Sequence, residues 1–372
     1  MPGDPFGSSL SSLLLADLRD RVGGRRGRAN ARWGLLKPPA PGGKLVWIAA
    51  GADRDSVRLA VELARALREK RLDLRLALTV EREYADVLRP LEDMPLAGWG
   101  YAPCDRPAAV RRALARRAPL GLICAGRAPR AHLARESGIV RHRLVVGAPA
   151  PADAAFEQTY PAADDQTAGD AATRAPAANL LTLVMPAQLD PNFAALATGG
   201  AARRLWWWHG DAGGLARFLP RFRDAFAADP LFVTGAAADD GHSTARLSDW
   251  QREPLPAAAV VAVDAPQWLP AIAAACTGAH FAMRDDAALW QALAGGAAVS
   301  LGAEVGLPKA TLAGATERCG DADAVMGAWR RIAGSPAEAR ARRDAGRRAF
   351  WDERRLAAAV SDELLARVFD WD

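Results

Sequence analysis

Residues 44–70 read KLVWIAAGADRDSVRLAVELARALREK. Leu45 to Ala50 is a short apolar run of strand formers, and Gly51 and Ala52 are small enough for a tight turn. Asp53, Arg54, Asp55 and Ser56 follow. Then Val57, Ala60, Val61, Leu63, Ala64 and Leu67 recur at helical spacing. The stretch predicts strand, turn, helix, the first half of a βαβ unit. Open α/β sheets bind ligands beyond the carboxyl ends of their strands. Chemistry is therefore sought first at residues 51–56.

The same rhythm continues on the C-terminal side. Strands are expected at 74–80, 99–102, 120–125 and 144–147, with helices at 55–70, 84–91, 106–117 and 130–137. Residues 148–178, rich in Ala, Pro, Asp and Thr, break the pattern and are expected to be a linker. A second block offers strands at 180–185, 205–209, 231–234, 259–263, 280–283 and 297–301, with helices at 191–197, 215–226, 267–276 and 286–294. The remainder is expected to be helical, over 322–333, 336–348 and 352–369. Strands alternating with helices predict parallel, doubly wound sheets. The expected division is an N-terminal amphipathic and basic segment at 1–43, a first Rossmann-like domain at 44–147, the linker, a second Rossmann-like domain at 179–350 and a C-terminal helix at 351–372. Two such domains facing a cleft describe the GT-B architecture. Two-lobed binding proteins and some epimerases share that outline.

Composition bounds the rest. The chain has 372 residues, 50% hydrophobic and 24% charged, enough for two cores. Its net charge of +5 is carried almost wholly by arginine, which suits an anionic partner. No nucleic-acid module is recognisable, so none is expected as a partner. Cys104, Cys124, Cys276 and Cys319 form no CxxC pair, and the five histidines form no HExxH. No metal site and no cofactor are expected. No stretch reaches the roughly 18–20 apolar residues of a membrane span, and a cytoplasmic protein is expected. Residues 1–9 read as a mobile tail. Leu10, Leu13, Leu14, Leu15 and Leu18 lie on a short helix followed by Arg19, Arg21, Arg25, Arg26, Arg28 and Arg32. That helix either lies on the cytoplasmic face of the inner membrane or packs on its own domain. Pro38, Pro39, Pro41, Gly42 and Gly43 make a stiff lead-in to the first strand.

Several segments resemble the 3-deoxy-D-manno-octulosonic acid (Kdo) transferases that act on lipid A. The basic segment, the PPAPGGK lead-in and LVWIAAGADRD are similar to that family's basic segment, lead-in and WIHAVSVGE strand. YAPCDRPAAVRRAL at 101–114 resembles YLPYDLPGAVRRFL, the most specific match. VVAVDAPQWLPAIAAACTGAHFAM and ALWQALAGGAAVSLG resemble, more weakly, the donor-side segments. The likeness spans about residues 19–145 and 203–350.

The resemblance implies inverting transfer of a CMP-activated sugar to a glycolipid acceptor resembling lipid A, without a metal. Asp55 stands opposite the family's catalytic glutamate, with Asp53 two residues earlier. Either would take the proton from the acceptor hydroxyl, and N-capping of the helix is the structural alternative for both. Arg54 and Arg127 are the acceptor-side candidates; Asp264, Arg284 and Gln291 are the donor-side ones. The chain also departs from the family. AGRAPRA replaces ETELWPN, placing Arg127 where a glutamate stands, and Ala287, Ala288 and Gln291 replace the donor-side His, Asn and Glu. Those losses point to the second expectation, a catalytically inactive relative that binds a glycolipid, a nucleotide or a partner enzyme. Trp206, Trp207 and Trp208 alternate along a strand, so all three cannot line one pocket.

Overall fold

The structure is a computed structural model. It describes residues 9–35, 43–148, 156–162, 175–185, 192–200, 202–239, 241–250, 253–264, 266–307 and 309–372. Residues 1–8 of the expected tail at 1–9, most of the Pro/Gly lead-in and most of the expected linker lie outside these residues. The chain divides into two compact units, Met1–Val184 with Leu356–Asp372, and Met185–Arg355.

In the first unit, α1 (Leu10–Val22) and α2 (Arg26–Arg32) precede β1 (Leu45–Ala50), α3 (Arg54–Lys70), β2 (Arg75–Val80), α4 (Ala85–Leu88), β3 (Ala97–Tyr101), α5 (Pro107–Arg117), β4 (Gly121–Ala125), α6 (Ala131–Glu136), β5 (His142–Val146) and β6 (Gln158–Tyr160). The six strands form one parallel sheet in the order β3-β2-β1-β4-β5-β6. Both faces of β1 are covered, which explains its unbroken apolar run. Val46 and Ile48 pack under α3, and Trp47 points to the opposite core, where its indole donates to Thr79 Oγ1 at 2.8 Å. Helix α3 buries Val57, Ala60, Val61, Leu63, Ala64 and Leu67. Each large aliphatic side chain there contributes roughly 1.5–3 kcal/mol, so Leu67→Asp would detach the helix.

Strand β6 corrects the expected linker. Residues 158–160 pair with β5, and Tyr160 is fully buried, its hydroxyl 3.1 Å from Glu363 Oε1. Three residues are too few to show periodicity in sequence.

In the second unit, α7 (Phe193–Thr198), β7 (Leu205–His209), α8 (Ala212–Ala225), β8 (Leu231–Thr234), β9 (Ala245–Arg246), β10 (Val260–Ala262), α9 (Leu269–Ala275), β11 (Cys276–Phe281), α10 (Asp286–Gly295), β12 (Ala298–Gly302), β13 (Thr316–Cys319) and α11 (Ala322–Gly334) build a seven-stranded parallel sheet, β13-β12-β11-β7-β8-β10-β9. Helix α12 (Pro336–Phe369) is continuous where two helices were expected. Its last turns belong to the first unit, and there Trp371 covers Gly121: a Cβ at Gly121 would lie 2.1 Å from the indole. Two further expectations are corrected. Leu180–Leu183 is a 3-10 turn, not a strand, with the Asn179 side chain accepting from Leu181 N. Residues 316–319 form an edge strand inside a stretch expected to be non-strand. The tryptophans alternate as their spacing requires. Trp206 stacks on Trp329 at 4.5 Å and Trp208 on Phe218 at 4.6 Å, while Trp207 meets Phe281 on the other face.

Helix α1 is turned the other way from a helix packing its leucines inward. Asp20 is buried against Arg32 at 2.6 Å, and Asp17 accepts from the Trp33 indole at 2.9 Å. Leu13 is buried with Cys104 and Ala109. Leu10, Leu14, Leu15, Leu18 and Val22 are 53–81% exposed, four of them at i, i+4 spacing on one face. No helix among the described residues is long and apolar enough to cross a membrane.

Candidate functional site

In the first sheet the chain order reverses between β1 and β4, so the crevice lies where their carboxyl ends part. Gly51 and Gly126 bring the two following loops into contact. Gly126 has φ +78°, and a Cβ there would lie 2.3 Å from Ser56 Oγ; a Cβ on Gly51 would lie 3.0 Å from Arg127 Cβ. Only glycine permits this approach. Arg127, half exposed, thus stands over the β1–α3 turn. A cavity of about 40 Å³ opens beside it, lined in part by Glu81, Arg127 and Arg130. That is room for one or two waters. Glu81 follows β2 and is held bidentately by Arg130 at 2.6 and 2.7 Å, with Arg127 4.0 Å away.

Asp53 is the N-cap of α3: its two oxygens accept from Ser56 N at 2.8 Å and Ser56 Oγ at 2.6 Å. Both acceptor oxygens are engaged, as the capping alternative requires. Asp55, in the first turn, keeps a third of its side chain exposed and lies 3.8 Å from Arg58. Arg54 turns away to Asp86, whose carboxyl the hydrogen bond from Arg54 holds below its ordinary range. The geometry thus gathers Asp55 and Arg127 around one turn and places Arg54 on a neighbouring ion pair.

The second sheet reverses between β7 and β11. There His209 Nε2 lies 3.9 Å from Asp285 Oδ2, and His209 Nδ1 lies 2.9 Å from Thr234 Oγ1. Burial lowers the His209 pKa against the pull of Asp285. Asp285 caps α10, accepting from Ala288 N at 2.9 Å, and Arg284 grips Asp286 through two bonds of 2.8 Å. Gln291 is 6% exposed, and its amide nitrogen has no partner among the described residues. Asp264 follows β10, three strand places from β11 and so about 14 Å across the sheet. It accepts from Ser248 N at 2.9 Å and Ser248 Oγ at 2.7 Å. The sheet order therefore does not bring Asp264 to Arg284. Sequence reasoning missed Glu81, Arg130 and His209, and read Asp285 as loop polarity. Their signal was position, immediately after a strand or at the head of the next helix. Among the described residues no group of three or more His, Cys, Asp or Glu could hold a metal ion.

No protein-family model matches the chain, and no curated protein sequence matches it. Solved structures match its fold. The UDP-GlcNAc 2-epimerase of Neisseria meningitidis, bound to UDP-GlcNAc, superposes with a TM-score of 0.61 at 8% identity, over 87% of this chain and 100% of that one. A glycosyltransferase of Rickettsia africae gives 0.60 at 9% identity, over 89% and 100%. Anabaena HepE, in complex with UDP, gives 0.56 at 10% identity, over 87% and 100%. At such identities the likeness carries the architecture, and the chain has the two-domain, Rossmann-like α/β fold of the GT-B type.

Proposed function

We propose that the chain transfers a sugar from a nucleotide-activated donor to an anionic, lipid-linked acceptor. The observation that carries this reading is the leucine face of α1. It is exposed and flanked by the exposed Arg19, Arg21, Arg25 and Arg26, and it belongs to the same unit as the Asp55–Arg127 turn. Apolar side chains beside arginines suit an anionic lipid surface. Arg127 would hold an acidic group of the acceptor. Asp55 would take the proton from the acceptor hydroxyl as its oxygen attacks the anomeric carbon and the nucleotide leaves with the bonding pair. On the donor side, the Arg284–Asp286 pair is exposed and contributes little, about 0–1 kcal/mol, so a phosphate can displace Asp286 from Arg284. The similar structures solved with UDP and UDP-GlcNAc support a sugar nucleotide as donor. The resemblance to Kdo transferases specifies CMP-activated 3-deoxy-octulosonic acid and a lipid A-like acceptor, on the cytoplasmic face of the inner membrane.

One observation favours the second reading, an inactive relative that binds a glycolipid. The amino end of α10 carries Asp285 and Asp286, where a phosphate needs positive potential. The test is incubation with CMP- and UDP-sugars and lipid A-bearing vesicles, followed by mass spectrometry of the lipid. A mass gain with wild type and none with Asp55→Asn is expected. Vesicle binding without any mass gain would replace transfer by the binding reading. No association with anionic vesicles, or association unchanged by Leu14→Glu with Leu18→Glu, would sink both lipid readings.

A further inference from the structure

At the carboxyl end of β7, a chain of hydrogen bonds fixes which nitrogen of His209 carries the proton. The Trp207 indole donates to Thr234 Oγ1 at 2.8 Å, and the Thr234 hydroxyl has one proton of its own to give. Trp208 O lies 3.5 Å from Thr234 Oγ1, at the limit of a hydrogen bond, whereas His209 Nδ1 lies 2.9 Å away. The Thr234 proton therefore goes to Nδ1, and the neutral ring carries its own proton on Nε2. Burial lowers the His209 pKa, so the neutral ring is the form present at pH 7.

The Nε2–H is the unspent end of that chain. His209 is 7% exposed, and its Nε2 makes no hydrogen bond among the described residues. It is not closed off from solvent, as the unpartnered His132 Nδ1 and His142 Nε2 are. It faces Asp285 Oδ2 at 3.9 Å, too far for a direct bond. The Asp285 side chain is 41% exposed, so the gap between the two atoms opens outward. Asp285 Oδ1 accepts from Ala288 N, which leaves Oδ2 as the available acceptor.

The gap selects one kind of group. An oxygen about 2.8 Å from both atoms can accept from Nε2–H, but it must also donate a proton to Oδ2. A hydroxyl does both. An ionised phosphate or carboxylate has no proton to give, and it would meet Asp285 and Asp286 at the head of α10. An ammonium has no lone pair for Nε2–H. The carboxylates that count against a phosphate at this helix end thus suit a hydroxyl.

We propose that His209 and Asp285 together bind one hydroxyl of the sugar-nucleotide donor, carried on its ribose or on the transferred sugar. The identity of the ligand rests on the transfer reading; the geometry belongs to the second unit alone.

Calorimetric titration of the full chain with UDP, CMP, their 2′-deoxy and 3′-deoxy forms and UDP-GlcNAc tests it. His209→Phe keeps the ring contact with Phe281 and removes both nitrogens. With a ribose hydroxyl in the gap, one deoxy nucleotide should bind wild type about tenfold more weakly than its parent. His209→Phe should then weaken the parent alone and abolish the difference. With a hydroxyl of the sugar in the gap, His209→Phe should weaken UDP-GlcNAc about tenfold and leave UDP unchanged. His209→Gln, which keeps an N–H near the place of Nε2, should recover most of the affinity. Asp285→Asn keeps the capping oxygen and turns Oδ2 into a donor. It should reproduce the His209→Phe pattern, and it decides the matter should that variant fail to fold. Wild type that binds nucleotides with affinities indifferent to His209→Phe and Asp285→Asn would overturn this inference and leave the transfer reading standing, with the gap holding water alone. Equal weakening of every ligand, deoxy forms included, would likewise overturn the hydroxyl contact. Folded wild type that binds none of these ligands would remove the donor reading and this inference together.

Discussion

The β1–α3 turn of the first unit and the β11–α10 turn of the second are built alike. Each joins a central parallel strand to a helix capped by an aspartate, Asp53 or Asp285, at the point where the sheet order reverses. They differ in what surrounds the cap. Gly126 lets a neighbouring loop place Arg127 over the first turn, and Asp55 stays partly open to solvent. At the second turn the only arginine, Arg284, is paired with Asp286 two residues on. The same local structure thus offers a cation from outside in one unit and a self-satisfied pair in the other. Which carboxylates remain available for chemistry is decided by these neighbours and not by the strand-turn-helix pattern.

The largest expected effect separates the turns by turnover. Asp55→Asn should lower transfer about 10²- to 10⁴-fold, whereas Asp285→Asn should leave the chemical step intact and act on donor affinity. Equal losses in single-turnover assays would erase the distinction. Next come the two arginine–carboxylate pairs. Glu81 is 8% exposed and bound bidentately by Arg130, so Glu81→Ala removes a largely buried ion pair and should cost about 3 kcal/mol in denaturant unfolding. Arg284→Ala should cost less than about 1 kcal/mol, because that pair is exposed.

The second unit should also respond to acid through His280. Burial lowers its pKa to about 4. Between pH 6.5 and 4 the unfolded chain takes up the proton and the folded chain does not, so stability is full above pH 6.5 and falls as pH drops. The loss approaches about 3 kcal/mol at pH 4. The difference in unfolding free energy between wild type and His280→Gln, followed over that range, should shrink by a similar amount; a constant difference would show that His280 does not titrate this way. Effects as modest as that of the Arg284 pair belong to the caps. Asp53→Ala and Asp285→Ala should each cost about 1 kcal/mol, and a much larger cost at Asp53 would assign it more than capping.

The doubly wound sheets were legible because long apolar runs and 3.6-residue periodicity persist through β1, α3, β4, β7 and α8. The edges were not. Gln158–Tyr160 and Thr316–Cys319 are short, and sheet pairing rather than local pattern makes them strands. The α1 leucines were visible, but Asp17 and Asp20 turning inward to Trp33 and Arg32 required tertiary partners that lie 12–16 residues away. Of the candidate site, the turn holding Asp55 was legible as the loop after a central strand, whereas Arg127 was singled out only by the resemblance to the Kdo transferases. Asp264 was grouped with Arg284 because both follow strands, and only the sheet order separates them. Glu81 and His209 escaped because a single carboxylate or imidazole after a strand carries no spacing signal until its partner is placed beside it.

Calorimetric titration of the folded chain with CMP and UDP, repeated with Arg284→Ala, tests the central claim most directly. Transfer from a nucleotide-activated donor predicts saturable binding of at least one nucleotide, weakened severalfold by the substitution. No heat with either nucleotide, from protein shown to be folded, would contradict it and leave the exposed leucine face of α1 as the candidate for a binding function alone.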